Sequence, residues 1–215
     1  MNQKEIALWG KITAGITHEM KNVLAIINES SGLIGDIMKA GKKAPIKYQD
    51  KVLLALEKIS RQVNRGVEIS NSLNKFAHST DHTLASVNID EVMSQAIFLV
   101  KRFAGQKQVE LEMVKSERDI NLYTDSFRLI LTLTGIIYTI LEKTGDSEKI
   151  SLKPEAQEEF AIFEITLHAY PAKVLTEIPG PDQFSALDEA LKVLGAELKT
   201  DGRGQFLLRV PLKTV

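Results

Sequence analysis

Cysteine is absent from the chain, which excludes disulfides and thiol chemistry and makes a reducing compartment, the cytoplasm, the expected location. An excess of either charge is also missing. Lys and Arg number 27 against 28 Asp and Glu, and a net charge of −1 argues against nucleic acid as an electrostatic partner. The start, Met1-Asn2-Gln3-Lys4-Glu5, is polar and reads as no signal peptide. The most apolar run, Phe127 to Leu141, is too short and too rich in Thr to span a membrane, so no membrane partner is expected. His78 and His82 flank a linker with no third ligand near them, so no metal site is expected. There remain 215 residues, 44% apolar and 26% charged, of ordinary soluble composition and enough for one large or two small domains.

The stretch Gly10 to Ser31 carries the strongest signal. At 100° per residue, Trp9, Ile16, Met20, Val23, Ile27, Ile34 and Met38 fall within about 40° of one line, an apolar stripe. His18 falls on the opposite side. Its own face carries Lys11, Ala14, Gly15, Lys21, Asn22, Ala25 and Glu29. The imidazole therefore points to solvent between small residues, where a bulky partner can reach it. Lys11, Ala14, Gly15, Lys21 and Ala25 are the candidate partner-docking surface. Glu19 and Asn22 complete a local set of acid, amide and imidazole. A neutral imidazole is a good nucleophile, and a neighbouring carboxylate strengthens it by fixing its tautomer.

The run G-K-I-T-A-G-I-T-H-E-M-K-N resembles the phosphoacceptor box of bacterial sensor histidine kinases, roughly H-E-x-K/R-N-P-L. His18 to Asn22 fit, as does the apolar lead-in Ile12 and Ile16. Val23 stands where the family usually has Pro, so the helix is expected to run straighter past the site. The resemblance implies that His18 is phosphorylated, that Glu19 accepts the imidazole proton, and that Asn22 orients an attacking water in phosphatase chemistry. Almost no chain precedes His18, from which a signal delivered by another molecule is expected.

In order along the chain, a first helix is predicted over Gln3–Lys39, ended by Ala40-Gly41-Lys42-Lys43-Ala44-Pro45. A second runs from about Pro45 to His78. Its Tyr48, Val52, Leu56, Ile59, Val63, Val67 and Leu73 form a heptad-like seam. A short connection makes the two an antiparallel hairpin. The first helix has a second apolar flank, Ile12, Ile26, Leu33 and Ile37. Two flanks call for two neighbours, hence a four-helix bundle formed by a homodimer. Ser79 to Thr83 is a linker, giving a hairpin domain over 1–79 and a second domain over 83–215. In the second domain Asn88-Ile89-Asp90-Glu91 is a capping box opening a helix to about Ala104. Strands are predicted over Gln108–Val114 and Ile120–Tyr123, an apolar helix over Ser126–Lys143 ended near Gly145, and strands over Glu148–Pro154 and Glu159–Ala169. A helix over Ala186–Leu194 stops at Gly195, and a hairpin, Ala196–Thr200 with Gln205–Pro211, closes the chain. The class is α+β: a helical hairpin, then an α/β sandwich with helices on one face of a mixed sheet.

That order, with the ending Ala190 to Leu198 and Gln205 to Leu212, resembles the ATP-binding domain of the same kinases. Its nucleotide motifs do not carry over. Asp125-Ser126-Phe127-Arg128-Leu129 matches a D-x-x-R-L motif, but Gly135 and Thr139 stand where the family has asparagines, the later one a magnesium ligand. A hydroxyl serves that role less well than an amide carbonyl. The strand Ile162 to Leu167 runs into His168-Ala169-Tyr170-Pro171-Ala172 where a D-x-G-x-G turn belongs. Phe184-Ser185-Ala186-Leu187-Asp188 replaces a glycine-rich phosphate loop. Pro171 to Gln183, with its isolated Gly180, is short for an ATP lid.

ATP binding is therefore not expected, nor any tightly bound cofactor. The leading expectation is a homodimeric histidine phosphotransferase in two-component signalling. It exchanges a phosphoryl group between His18 and the aspartate of a response-regulator receiver, which supplies the Mg2+. The alternatives are a regulatory pseudokinase acting as adaptor or receiver phosphatase, and a sensor histidine kinase with an atypical nucleotide site.

Overall fold

The computed structural model describes residues 3–40, 48–143, 149–168, 184–185 and 187–213. The chain divides into two compact units, Thr13–Lys75 and Met1–Ile12 with Phe76–Val215. Helix α1 (Gln3–Lys39) has the bounds its periodicity predicts, and α2 is Gln49–His78. The expected stop after Ala40 and start at Pro45 lie outside the described residues.

In the first unit the helices run antiparallel. Glu19 meets Arg65, while Glu29, Ser30 and Leu33 share a groove with Lys51, Leu54, Ala55 and Lys58. Ile16 and Val23 of the apolar stripe are buried, and Met20, Ile27 and Ile34 half-buried. The α2 seam differs from its sequence reading. The inward line is Tyr48, Val52, Ala55, Ile59, Gln62, Gly66 and Ile69, in alternating steps of about 3 and 4. Leu56, Val63, Val67 and Leu73 are exposed and form a flank beside it. The predicted seam merged two adjacent lines, because an apolar pattern alone does not say which side of a helix meets its neighbour.

The second unit holds β1 (Ala85–Asn88), α3 (Ile89–Gln106), β2 (Glu110–Met113), β3 (Asn121–Thr124), α4 (Ser126–Lys143), β4 (Lys149–Gln157), β5 (Phe160–His168), α5 (Asp188–Leu194), β6 (Glu197–Thr200) and β7 (Gln205–Pro211). The five-stranded sheet has the order β2-β4-β5-β7-β6. It is parallel between β2 and β4 and antiparallel elsewhere. Strand β1 is an addition to the expected order and pairs antiparallel with β3 as a separate ribbon. Asn88 caps α3 as its sequence implies, its side chain accepting from the amides of Asp90 (2.9 Å) and Glu91 (3.1 Å). Gly195 ends α5 in the left-handed conformation at φ 59°, where a Cβ is disfavoured.

Alternation along the strands sets the layers. Ile150 and Leu152 of β4, Phe163 and Ile165 of β5, and Phe206, Leu208 and Val210 of β7 are buried. They face the apolar sides of α3 (Val92, Met93, Ala96, Leu99) and α4 (Leu129, Leu133, Ile136, Ile140). The other sheet face carries ion pairs such as Lys149–Glu112 at 2.9 Å. Helix α4 is buried over most of its length, and its threonines tolerate this by hydrogen bonding one turn back. Thr132 donates to the Arg128 carbonyl (2.8 Å) and Thr134 to that of Ile130 (2.6 Å). At the foot of the same unit Trp9 stacks on Phe76 (4.8 Å between ring centres) and on Phe127 (6.1 Å). No helix among the described residues is long and apolar enough to cross a membrane.

Candidate functional site

His18 is fully on the solvent side of α1, opposite buried Ile16 and Val23. Ala14, Lys21, Asn22 and Ala25 are exposed with it, and Gly15 is buried. The small Ala14 and Ala25 leave the imidazole accessible from both directions along the helix. Lys11 has partners of its own in the second unit. Its Nζ lies 3.4 Å from Glu142 Oε1 and 5.5 Å from the centre of the Tyr138 ring, and the Tyr138 hydroxyl donates to the same carboxylate oxygen at 2.8 Å. Hydrogen bonding and attraction to Tyr138, with the Glu142 charge, hold the Lys11 ammonium above its usual pKa.

Glu19 does not share the exposure of its neighbours. Its side chain is 17% exposed, and its Oε1 accepts from Arg65 of α2 through both Nη2 (2.6 Å) and Nε (3.2 Å). Arg65 was not legible as a site residue. The nearest sequence signal is Gly66 beside it, where a Cβ would stand 3.4 Å from Val23 Cγ1.

The positions of the expected nucleotide site lie in the second unit. Asp125 is the N-terminal cap of α4. Its Oδ1 accepts from the Arg128 amide (2.9 Å) and its Oδ2 pairs with Arg128 Nε (3.1 Å), so the D-x-x-R-L residues act here on the helix start. A Cβ on Gly135 would stand 2.7 Å and 3.2 Å from the two δ-methyls of Leu187 and 3.3 Å from a δ-methyl of Leu8. The Thr139 hydroxyl donates to the Gly135 carbonyl at 2.8 Å. Leu187 and Phe184 are buried, Phe184 edge-on to Phe206 at 5.7 Å. Leu187 occupies the N-cap position of α5 without a side-chain cap. Leucine methyls thus fill the space beside Gly135, and the Thr139 hydroxyl gives its hydrogen to the helix while its oxygen lone pairs stay free. The replaced adenine turn beyond His168, the lid Pro171 to Gln183 and the helix stop at Gly145 lie outside the described residues. Among the described residues no group of three or more His, Asp or Glu is arranged to hold a metal ion.

No protein-family model matches the sequence. The chain is 25% identical over 154 residues to the sensor histidine kinase ZraS of Salmonella typhimurium and 24% identical to ZraS of Salmonella typhi. The match covers 71% of this chain and 31% of each relative, so the chain spans about a third of the curated relatives it matches. Among solved structures, the histidine kinase ThkA in complex with the response regulator protein TrrA aligns over 98% of this chain and 64% of that one, with a TM-score of 0.50 and 15% identity. The fold is that of a sensor histidine kinase core. His18 lies on the helical hairpin, and the mixed sheet belongs to the second unit.

Proposed function

We propose that the chain is a histidine phosphotransferase of a two-component pathway, working as a homodimer in the cytoplasm. The observation that carries the reading is the exposed His18 on the hairpin, and leucine side chains packed beside Gly135 in the other unit support it. His18 Nε2 attacks the phosphorus of an aspartyl phosphate on a response-regulator receiver. The N–P bond forms as the P–O bond breaks, the aspartate leaves as carboxylate, and the Nδ1 proton passes to Glu19. The receiver brings the divalent cation and the acidic pocket, so this chain contributes position and a base. In reverse the phosphoryl group moves to a second receiver. Asn22, one turn from His18, serves to orient a water when the receiver is dephosphorylated instead.

The support is chemical. An imidazole in solvent between two alanines is open to a docking domain, and the small side chains Ala14 and Ala25 are the surface such a domain meets, with Lys21 beside them. The decisive experiment offers radiolabelled phosphoryl donors to the purified chain. Transfer from a phosphorylated receiver to wild type, its loss in His18→Ala with the fold intact, and no labelling by Mg·ATP are the expected results. Labelling by ATP would instead establish an atypical histidine kinase. A receiver that binds without transferring label would establish the adaptor reading.

A further inference from the structure

A glutamate one residue after a helical histidine lies about 100° around the helix from it, so the two side chains do not face one another by default. A useful base in that position has to be held. Arg65 does this from α2, and it does so with an asymmetry. Both of its contacts, Nη2 at 2.6 Å and Nε at 3.2 Å, fall on Oε1 of Glu19. Oε2 has no hydrogen-bond partner among the described residues.

We propose that Arg65 is a positioning residue for phosphoryl transfer at His18, clamping one oxygen of Glu19 so that the other is free to take the imidazole proton. The inference rests on the phosphotransfer reading and deepens it. Two donors from one planar guanidinium fix the carboxylate in a way a single ammonium does not. The pair has little value as a stability device, because Arg65 is 53% exposed and solvent screens such pairs. Arg65 stands one residue before Gly66, whose backbone packs near Val23 one turn beyond Glu19. Held by Arg65, Glu19 is ordered before any receiver arrives, and the entropy of fixing its side chain does not have to be lost in the transfer step.

The test is a double-mutant cycle on single-turnover phosphorylation of His18, with two donors: a phosphorylated receiver and phosphoramidate, which needs no docking. Arg65→Ala is expected to slow both reactions on the order of tenfold, inside the range of general-base assistance, without changing receiver affinity. Arg65→Lys should recover part of the rate. In the Glu19→Gln background Arg65→Ala should have no further effect, since no charged carboxylate remains to be held. Equal slowing in both backgrounds, slowing with the receiver alone, or no slowing at all would each overturn the assignment while leaving phosphotransfer intact. A wild-type chain that takes label from neither donor removes the phosphotransfer reading, and this inference with it.

Discussion

Tyr138 is a residue whose surroundings can be tested without any partner. Its hydroxyl is half-buried on α4, donates to Glu142 and lies near Lys11. Burial raises its pKa above the usual 10.0, the Glu142 hydrogen bond and charge raise it further, and Lys11 opposes them. A raised folded-state value means that the unfolded chain ionises first as pH rises. The stabilisation is thus complete below about pH 10, the unfolded value, and is lost as pH climbs through the folded one. Absorbance titration of wild type minus Tyr138→Phe should place the midpoint above 10. Glu142→Gln should lower that midpoint while leaving it above 10, because burial persists. A midpoint at or below 10 would show that the phenol is not held as described. The exposure of His18 was legible without a structure: an imidazole opposite an apolar stripe is visible in a helical wheel. Arg65 was invisible there, because its partner is 46 positions away and only the packing of two helices joins them.

Individual elements divide in the same way. Helices α1 and α4 were readable to their end residues, since each has long 3.6-residue periodicity and, in α4, threonines that bond within the helix. The four residues of β1 were not. Their ladder partner is β3, more than thirty residues later, and Ala85 to Asn88 read locally as the approach to a capping box. The parallel pairing of β2 with β4 was equally silent, because alternation gives a face and not a neighbour. Helix α4 also shows why restoring one nucleotide residue should not restore the site. Gly135→Asn puts a Cβ 2.7 Å from a buried leucine methyl. Overpacking of this kind typically costs about 1–3 kcal/mol, which lowers Tm by several degrees in a domain of this size. The variant is expected to melt lower and still not bind Mg·ATP by calorimetry. Adding Leu187→Ala should recover part of the stability, a coupling the two single changes would not predict by addition. A Gly135→Asn chain with unchanged Tm, or with micromolar ATP affinity, would contradict the packing described for this helix.

For the whole molecule, most of the exposed large apolar side chains among the described residues are on the hairpin. Leu53, Leu54, Leu56, Val63 and Val67 of α2 are 46–60% exposed, and Leu24 and Met38 of α1 are 58% and 74% exposed. Scattered apolar residues on a surface need no explanation, but Leu53, Leu56, Val63 and Val67 fall along one side of a helix whose inward line is already occupied. Burying the exposed half of one such side chain contributes about 1 kcal/mol, so covering the flank on both copies supplies a total of the same order as the entropy lost on association. A self-complementary hairpin around a two-fold axis does this with no new sequence, as in bundles built from helix pairs. His18 lies outside this flank, on the solvent side of α1, and remains open in such a dimer. Light scattering of the full chain at micromolar concentration should therefore give twice the 23.9 kDa of one chain. Leu56→Glu with Val63→Glu should give the single-chain mass, because two carboxylates per copy would be forced into an apolar seam. The same variant should keep the secondary structure of the mixed-sheet unit and the ability of His18 to accept phosphate from phosphoramidate, since both side chains lie on the exposed flank rather than on the inward line. A folded wild-type chain that stays at 23.9 kDa across that concentration range would overturn the two-fold pairing of this flank.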